Sequence, residues 1–287
     1  MKKIALIVLI LLAAAASGFA LDGFNKDDAV VKVYPQAELG ILKVLHHVIQ
    51  LGDPATTDLF NYITQGGQEI LFPYQRYSID VEIARRHTVT LLYQPLTLRT
   101  TTVVPTSLTG GLTIEDRTYP AGTGIDLQYG FDFWRLSYMY SIFRTERFNF
   151  AAGASLQLRN ASIIFAGTDG TNVRVNQNLG PVPVLKLKVE YRFRFGLILG
   201  AEADGFYASS EIFNGADYPF EGWIYDAAIR IGMDANDLTD LFLVARILGG
   251  GASGTSGNPG ANWTDSVSGI TYNNLTTLTI SAGVRLK

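Results

Sequence analysis

Apolar residues recur at every second position in segment after segment of this chain, and a period of two is the pattern of a β-strand. The clearest segment covers residues 185–193, where the odd-numbered positions are apolar or aromatic and the even-numbered positions are charged. One face of such a strand is wholly apolar and the other wholly charged. The pattern fits a water-soluble sandwich, or a closed barrel with lipid outside and a polar lumen inside.

The amino terminus favours the membrane barrel. Lys2 and Lys3 precede an apolar stretch at residues 4–16, and Gly18-Phe19-Ala20 places small residues at the positions that a signal peptidase reads. We expect residues 1–20 to be a secretory signal that is cleaved after Ala20. An uncleaved membrane helix is the alternative, but the apolar run is short for a span.

Composition agrees with a single exported barrel. The chain of 287 residues is 47% hydrophobic and has no cysteine, so no disulfide supports the fold. Its formal charge of −3 lacks the basic excess expected of a nucleic-acid-binding protein. We predict a periplasmic lead-in at residues 21–36 and an outer-membrane β-barrel at residues 37–287.

Twelve segments are candidates for strands of an all-β, transmembrane, antiparallel up-and-down barrel. Residues 112–119 form a weak candidate, and residues 38–51 fit a helix face or a strand face. We interpret both as strands, and Asp132-Phe133 as a short external hairpin, because the connections then alternate in length and both ends of the barrel lie in the periplasm. Ten strands is the alternative.

Connection lengths assign the two sides of the barrel, because such barrels have short periplasmic turns and longer external loops. The long connections are residues 52–69, 167–180, 208–221 and 249–271. Their acidic residues are Asp53, Asp58, Glu69, Asp169, Glu211, Asp217, Glu221 and Asp265. We expect outer-membrane lipid and the barrel-assembly machinery as partners, and lipopolysaccharide phosphates that share divalent cations with these carboxylates.

The lumen is predicted to be polar, with nine basic and seven acidic residues at inward positions. These candidate lumen-lining residues are Arg76, Asp80, Glu82, Asp126, Arg135, Arg159, Lys186, Lys188, Glu190, Arg192, Glu202, Asp204, Asp226, Arg230, Arg246 and Arg285. They suit either an ion-pair network that packs the interior or a narrow water-filled passage. The function is therefore a channel for small polar solutes or a closed structural barrel with acidic external loops.

Enzymatic chemistry has little support in the sequence. The histidines are His46, His47 and His87, and no serine has a spacing that marks it as the partner of one of them. We assign no catalytic residue, metal or cofactor. The alternative is a lipid-modifying enzyme of the outer membrane, of the phospholipase or lipid A deacylase type.

Four segments carry a resemblance. They are ELG at 38–40, QEILFP at 68–73, HTVTLLYQPL at 87–96 and FDFWRLSY at 131–138. In these the chain resembles a family of uncharacterised outer-membrane β-barrel proteins of Gram-negative bacteria. The resemblance covers most of the mature chain and implies the barrel fold and an outer-membrane location, with no catalytic residues. Many such barrels end in an aromatic residue, whereas this chain ends in Lys287.

Overall fold

The computed structural model describes residues 29–210, 220–254 and 271–287, and these form an all-β structure built around a closed antiparallel barrel. The strands are β1 (Val31–Leu51), β2 (Phe60–Asn61), β3 (Leu71–Ile83), β4 (His87–Gln94), β5 (Thr97–Val103), β6 (Leu112–Ile114), β7 (Arg117–Tyr119), β8 (Gly124–Arg144), β9 (Phe148–Gly167), β10 (Val173–Arg192), β11 (Leu197–Ser209), β12 (Glu221–Asn236), β13 (Thr239–Ser253) and β14 (Thr271–Leu286). The described part of the chain contains no helix with the length and hydropathy of a transmembrane segment.

Ten strand positions make the wall, and pairing of β14 with β1 closes it. Both β4 and β5 pair with β8, so they occupy one position and are separated only by Pro95 and Leu96. Proline has no backbone N–H to donate, which explains the break in the ladder. The Leu96 amide instead donates to the Asp132 carboxylate at 2.7 Å.

The wall thus has the alternative count of ten strands, and two features of the chain account for the difference from twelve. Residues 112–119 are not a wall strand but a separate hairpin formed by β6 and β7. Asp132 and Phe133 do not form a turn, because β8 runs unbroken through them. The ambiguous residues 38–51 do form a wall strand as predicted, and β1 starts at Val31, within the segment assigned to the lead-in.

The barrel has two distinct ends. The turn end contains the start of β1, the end of β14 and four short connections at residues 84–86, 145–147, 193–196 and 237–238. The loop end contains the longer connections. One predicted loop is much shorter than expected, since β9 continues to Gly167 and β10 begins at Val173.

The outward face of the wall carries a belt of exposed apolar side chains, as the alternating pattern predicts. Its members include Leu39, Ile41, Leu136, Tyr138, Leu185, Leu187, Ile229, Ile231, Leu243 and Ile280. Their sequence neighbours point inward, as with Lys186, which is buried between exposed Leu185 and Leu187. The belt is unfavourable in water and favourable in hydrocarbon.

Inside the loop end, the barrel is filled with apolar side chains. We call residues 52–70 and the β6–β7 hairpin the cap, because they fold into the mouth of the barrel. Cap residues Phe60, Tyr62, Leu112, Ile114 and Tyr119 share one buried cluster with the wall residues Leu42, Ile49, Leu51, Ile125, Leu127, Tyr129 and Phe165. The interior therefore changes from polar to apolar along the barrel axis.

This change corrects one predicted lumen residue. Asp126 lies on the outward face of β8, is exposed, and accepts a hydrogen bond from the Thr101 hydroxyl at 2.6 Å. Its neighbours Ile125 and Leu127, which the sequence placed outward, are buried in the cluster beneath the cap. A bulge between Val44 and His46 makes a similar adjustment in β1, where it brings Ile49 and Leu51 inside.

Candidate functional site

The polar lumen is the candidate site, and its middle is crossed by a group of eight ionised side chains. We call these the central cluster: Glu38, Arg76, Arg135, Lys186, Glu202, Asp204, Asp226 and Arg246. They come from seven of the ten wall positions, because each lies at an inward position near the middle of its strand. Four are basic and four acidic, so the cluster is formally neutral.

Asp226 is fully buried at the centre of this cluster. Its carboxylate accepts hydrogen bonds from Arg135 Nη1 at 3.0 Å and Arg76 Nη1 at 3.3 Å, and it also pairs with Arg246. Three guanidinium groups therefore surround one carboxylate. Buried charges are tolerated only when they are paired and hydrogen-bonded in this way.

A second carboxylate extends the pairing across the lumen. Asp204 accepts from Lys186 Nζ at 2.9 Å and is also paired with Arg135. Arg246 Nη2 donates to Glu202 at 2.6 Å, which joins the two halves of the cluster. Arg135 is only 1% exposed, so solvent has almost no contact with its guanidinium group.

Neutral amides add hydrogen bonds to Arg135 and Arg76, whereas the buried Arg246 Nε has no hydrogen-bond partner among the described residues. Gln157 Oε1 accepts from Arg135 Nε at 2.9 Å and from Nη2 at 2.7 Å, while Gln94 Oε1 accepts from Arg76 Nη1 at 2.6 Å. Guanidinium groups held by several acceptors have little rotational freedom. The cluster is therefore cross-linked by hydrogen bonds through the middle of the lumen.

The cap fills the interior of the barrel toward the loop end. His47 is buried there, with its ring stacked on Tyr62 at 4.1 Å between centroids and its Nδ1 within 2.7 Å of Gln68 Oε1. Burial raises the pKa of the Tyr62 hydroxyl well above its usual value. The two neighbouring histidines are separated, because the bulge in β1 leaves His46 exposed.

Hydrogen bonds fix the cap to the wall and to itself. The amide of Glu115 donates to the Leu51 carbonyl at 2.9 Å, and the amide of Thr113 donates to the Asp58 carboxylate at 2.7 Å. The Glu115 side chain pairs with Arg174. Burial raises the pKa of the Glu115 carboxyl, and the nearby Arg174 guanidinium opposes that rise.

Tyr119 anchors the hairpin inside the mouth. Its hydroxyl donates to the Phe165 carbonyl at 2.9 Å, and burial raises its pKa to about 12. A neutral tyrosine held in this way packs its ring in the apolar cluster and satisfies its one polar group.

A water-accessible cavity occupies the turn end. We call it the vestibule; its volume is about 490 Å³, and Lys32, Asp80, Lys188, Glu190 and Arg285 are among the residues that line it. A smaller cavity of about 70 Å³ lies between the vestibule and the central cluster. The lumen thus consists, from one end to the other, of the vestibule, the central cluster and the cap.

Fifteen of the sixteen predicted lumen residues face inward, but they fall into separate groups. The central cluster contains Arg76, Arg135, Lys186, Glu202, Asp204, Asp226 and Arg246. The vestibule wall contains Asp80, Glu82, Lys188, Glu190, Arg192 and Arg285. Arg159 lies over the Phe131 ring toward the loop end, and Arg230 lines the smaller cavity, where it donates to Gln36.

Sequence reasoning missed Glu38, which pairs with Arg246 at 3.9 Å and accepts from the Ser281 hydroxyl at 3.1 Å. Its segment fits both a helix face and a strand face, so the sequence alone does not indicate whether the Glu38 side chain points inward. The polar character of an even-numbered series in β1, from Lys32 through Gln36 to Glu38, is the signal that identifies it. Among the described residues, no group of three or more histidine, aspartate or glutamate side chains is placed to hold a metal ion.

Comparisons with known proteins agree on the fold. No protein-family model matches the chain. No curated protein sequence matches it either. Among solved structures, the outer membrane protease OmpT from Escherichia coli superposes with a TM-score of 0.53 at 11% identity, covering 89% of this chain and 96% of that one.

Two further structures match with lower scores. A FadL homologue from Pseudomonas aeruginosa has a TM-score of 0.36 at 9% identity, with 89% of this chain and 90% of that chain covered. The toluene transporter TodX from Pseudomonas putida has a TM-score of 0.32 at 12% identity, with 95% and 93% covered. The likeness to OmpT, with its TM-score of 0.53, shows the fold of an outer-membrane-type β-barrel.

Proposed function

We propose that this protein is an integral outer-membrane β-barrel whose lumen is closed, with the loop end outside the cell and the turn end in the periplasm. The apolar belt supports membrane insertion, because burying such side chains in lipid removes them from water. The short connections lie at one end, as is usual for the periplasmic side of these barrels. We further propose that residues 1–20 are a cleaved export signal and that the barrel-assembly machinery is a partner of the exported chain.

The central cluster is the main structural support for a closed lumen. Its members are cross-linked from seven wall positions, and a solute that passed through would have to separate buried ion pairs. Separating them costs several kcal/mol, since each freed charge remains in a medium of low dielectric. The cap would have to move as well, so two barriers of different chemistry oppose passage.

Planar-bilayer recording of the refolded protein tests this closure. We expect a silent membrane at moderate voltage, both for the wild type and for a variant in which Asp58→Ala loosens only the cap. The central cluster is intact in both proteins. Steady current steps from the wild type at neutral pH would contradict the closed barrel and support the narrow channel instead.

The proposal assigns no catalytic residue, although one protein of similar fold is described as a protease. Two of the three described histidines have a side chain as hydrogen-bond partner: the Gln68 amide for His47 and the Tyr138 phenol for His87. Neither is the carboxylate or serine that acid–base or nucleophilic hydrolysis uses. Hydrolysis of phospholipid, lipid A or peptide that disappears in His46→Ala with His47→Ala would overturn this assignment.

We also propose that the loop end binds divalent cations together with lipopolysaccharide phosphates. Asp53, Glu69, Asp169 and Glu221 are exposed there, whereas Asp58 is half-buried and accepts a hydrogen bond from the hairpin. The other predicted loop carboxylates, Glu211, Asp217 and Asp265, lie outside the described residues. Carboxylate and phosphate oxygens are the ligands that hard cations favour. A chelator should lower the thermal unfolding temperature in membranes that contain lipopolysaccharide but leave it unchanged in phospholipid alone; equal effects would contradict the idea.

A further inference from the structure

The vestibule is deep enough to expose the middle of the barrel to the turn end. Asp80, Met139, Lys188 and Glu190 line both the large cavity and the smaller one beneath the central cluster. A molecule entering from the turn end can therefore reach Lys188 without disturbing the closed layer above it. The vestibule volume of about 490 Å³ lies within the range of small-molecule binding sites.

Most carboxylates of the vestibule already have partners. Arg144 Nη1 donates to Glu82 at 2.8 Å, and Lys287 Nζ pairs with Asp240 at 2.9 Å. Glu190 lies 3.9 Å from Arg285. These pairs neutralise much of the acidic charge that the lining would otherwise present to a ligand.

The Asp80 carboxylate is hydrogen-bonded by neutral side chains. It accepts from Gln36 Nε2 at 2.8 Å and from the Thr90 hydroxyl at 2.7 Å. Its hydrogen-bonding capacity is thus largely used by the wall itself. The carboxylate contributes charge to the vestibule but few free acceptor positions.

Two lysines in the vestibule are different. Lys32 and Lys188 take part in none of the ion pairs formed by the described residues, although both are partly buried and line the cavity. The neighbouring Lys186 contrasts with them, because it is held by Asp204 and Glu202. Lys188 is attracted by Glu190 and Glu202 only from beyond ion-pair distance. An ammonium group that is not held in an ion pair keeps hydrogen-bond donors that a ligand can use.

The two lysines come from opposite walls of the barrel. Lys32 lies on β1 and Lys188 on β10, and these strands are five positions apart in either direction around the ten-stranded wall. A ten-stranded barrel has a backbone diameter of roughly 20 Å, so two extended lysine side chains leave a gap of small-molecule size between them. An anion in that gap would be attracted from both walls.

We propose that the vestibule binds a small phosphorylated or carboxylated solute from the turn-end compartment, with Lys188 at the floor and Lys32 on the opposite wall. A lysine ammonium is a compact positive charge that suits phosphate and carboxylate oxygens. Both lysines can be replaced without leaving a buried carboxylate unpaired. Variants at these positions should therefore fold, which makes the proposal open to direct test.

Titration calorimetry of the refolded full-length mature protein in detergent tests it, with glycerol 3-phosphate as the free anion. A second arm uses short-chain phosphatidylglycerol, which presents the same phosphate chemistry from a lipid. The variants are Lys32→Gln and Lys188→Gln. Lys43→Gln is the matched control, because Lys43 lies on β1 with Lys32 but near the loop end, where it donates to the Glu69 carbonyl.

We expect each vestibule variant to bind about tenfold more weakly than the wild type, the loss expected for one charged hydrogen bond. The control should match the wild type, and neutral glycerol should not bind. Binding in the lipid arm alone, with the same loss in Lys188→Gln, would support a lipid headgroup as the source of the phosphate.

Two results would overturn the proposal: no binding of either probe, or equal binding by all three variants. A folded-to-unfolded mobility shift on heating confirms the fold of each sample before titration. The result is independent of the closed-barrel proposal, because binding in a micelle requires no passage through the lumen and conductance requires no bound anion.

Discussion

Asp226 is the residue on which the proposed closure of the lumen most depends. It is fully buried, and guanidinium groups from β3, β8 and β13 converge on its carboxylate. Among the described residues, Asp226 is the one carboxylate that pairs with all three of these cations, while Arg135 is also paired with Asp204 and Arg246 with Glu202. The sequence marked Asp226 as an inward residue, but nothing in its neighbours along the chain predicted three arginine partners from distant strands.

Asp226→Asn should destabilise the barrel by about 3 kcal/mol, as is typical when one partner of a buried ion pair is removed. The amide keeps the shape of the side chain but removes the negative charge. Arg76, Arg135 and Arg246 then remain buried with too little compensation. Urea unfolding in lipid vesicles, followed by loss of the compact electrophoretic form, measures the difference.

Asp237→Asn is the matched control, because Asp237 is exposed at the turn end next to the same strand. We expect it to change the free energy of unfolding by less than about 0.5 kcal/mol. Should both variants be equally stable, the ion pairs of Asp226 would contribute little to the stability of the barrel, and the proposed closed layer would lose its physical basis.

At the scale of elements, β8 explains both what the sequence predicted and what it did not. In its turn-end half, exposed Leu136 and Tyr138 alternate with buried Arg135 and Ser137, as expected for lipid outside and a polar lumen inside. In its loop-end half the arrangement is inverted, because the cap supplies an apolar interior. Along the chain, the apolar residues therefore occupy odd positions before Asp132 and even positions after Phe133. In the sequence, this change of phase resembles a turn between two strands.

The same reasoning accounts for the strand count. Alternation reports only the difference between the two sides of a strand, so it locates strands wherever one side is lipid and the other polar. The alternation pattern does not indicate which strands are continuous. The cap and the vestibule were not predictable, since both depend on contacts such as Phe60 with Phe165 that join distant parts of the chain.

Gly40 belongs to the seam that closes the barrel, where β1 pairs with β14. A Cβ atom at this position would lie 2.6 Å from the Ser281 Cα, which is backbone and cannot move without displacing β14. Gly40→Val should therefore destabilise the barrel by about 2 kcal/mol, as overpacking of a tight contact does. The yield of the heat-modifiable folded form after refolding reports the effect.

Gly180→Val provides the comparison, because a Cβ at Gly180 would meet only the Arg159 side chain, at 4.0 Å. Valine is favoured in strands, so this variant should refold as well as the wild type. Equal refolding of the two variants would mean that the seam is looser than the structure indicates.

At the scale of the whole molecule, three layers of different chemistry fill one barrel. The cap is apolar, the central cluster is ionic and buried, and the vestibule is polar and open to solvent. The outer surface has its own order, with the apolar belt around the wall and polar side chains such as Asp126 above it. These features have a common physical explanation if hydrocarbon surrounds the belt.

A cysteine scan of residues 185–190 in β10 tests that explanation most directly, because the chain has no natural cysteine and each label is unique. Single spin-labelled cysteines in lipid vesicles report their accessibility to oxygen, which concentrates in hydrocarbon. The structure predicts high accessibility at positions 185, 187 and 189 and low accessibility at 186, 188 and 190. Uniform accessibility along the segment, or access of a water-soluble relaxant to positions 185 and 187, would contradict a membrane-embedded barrel.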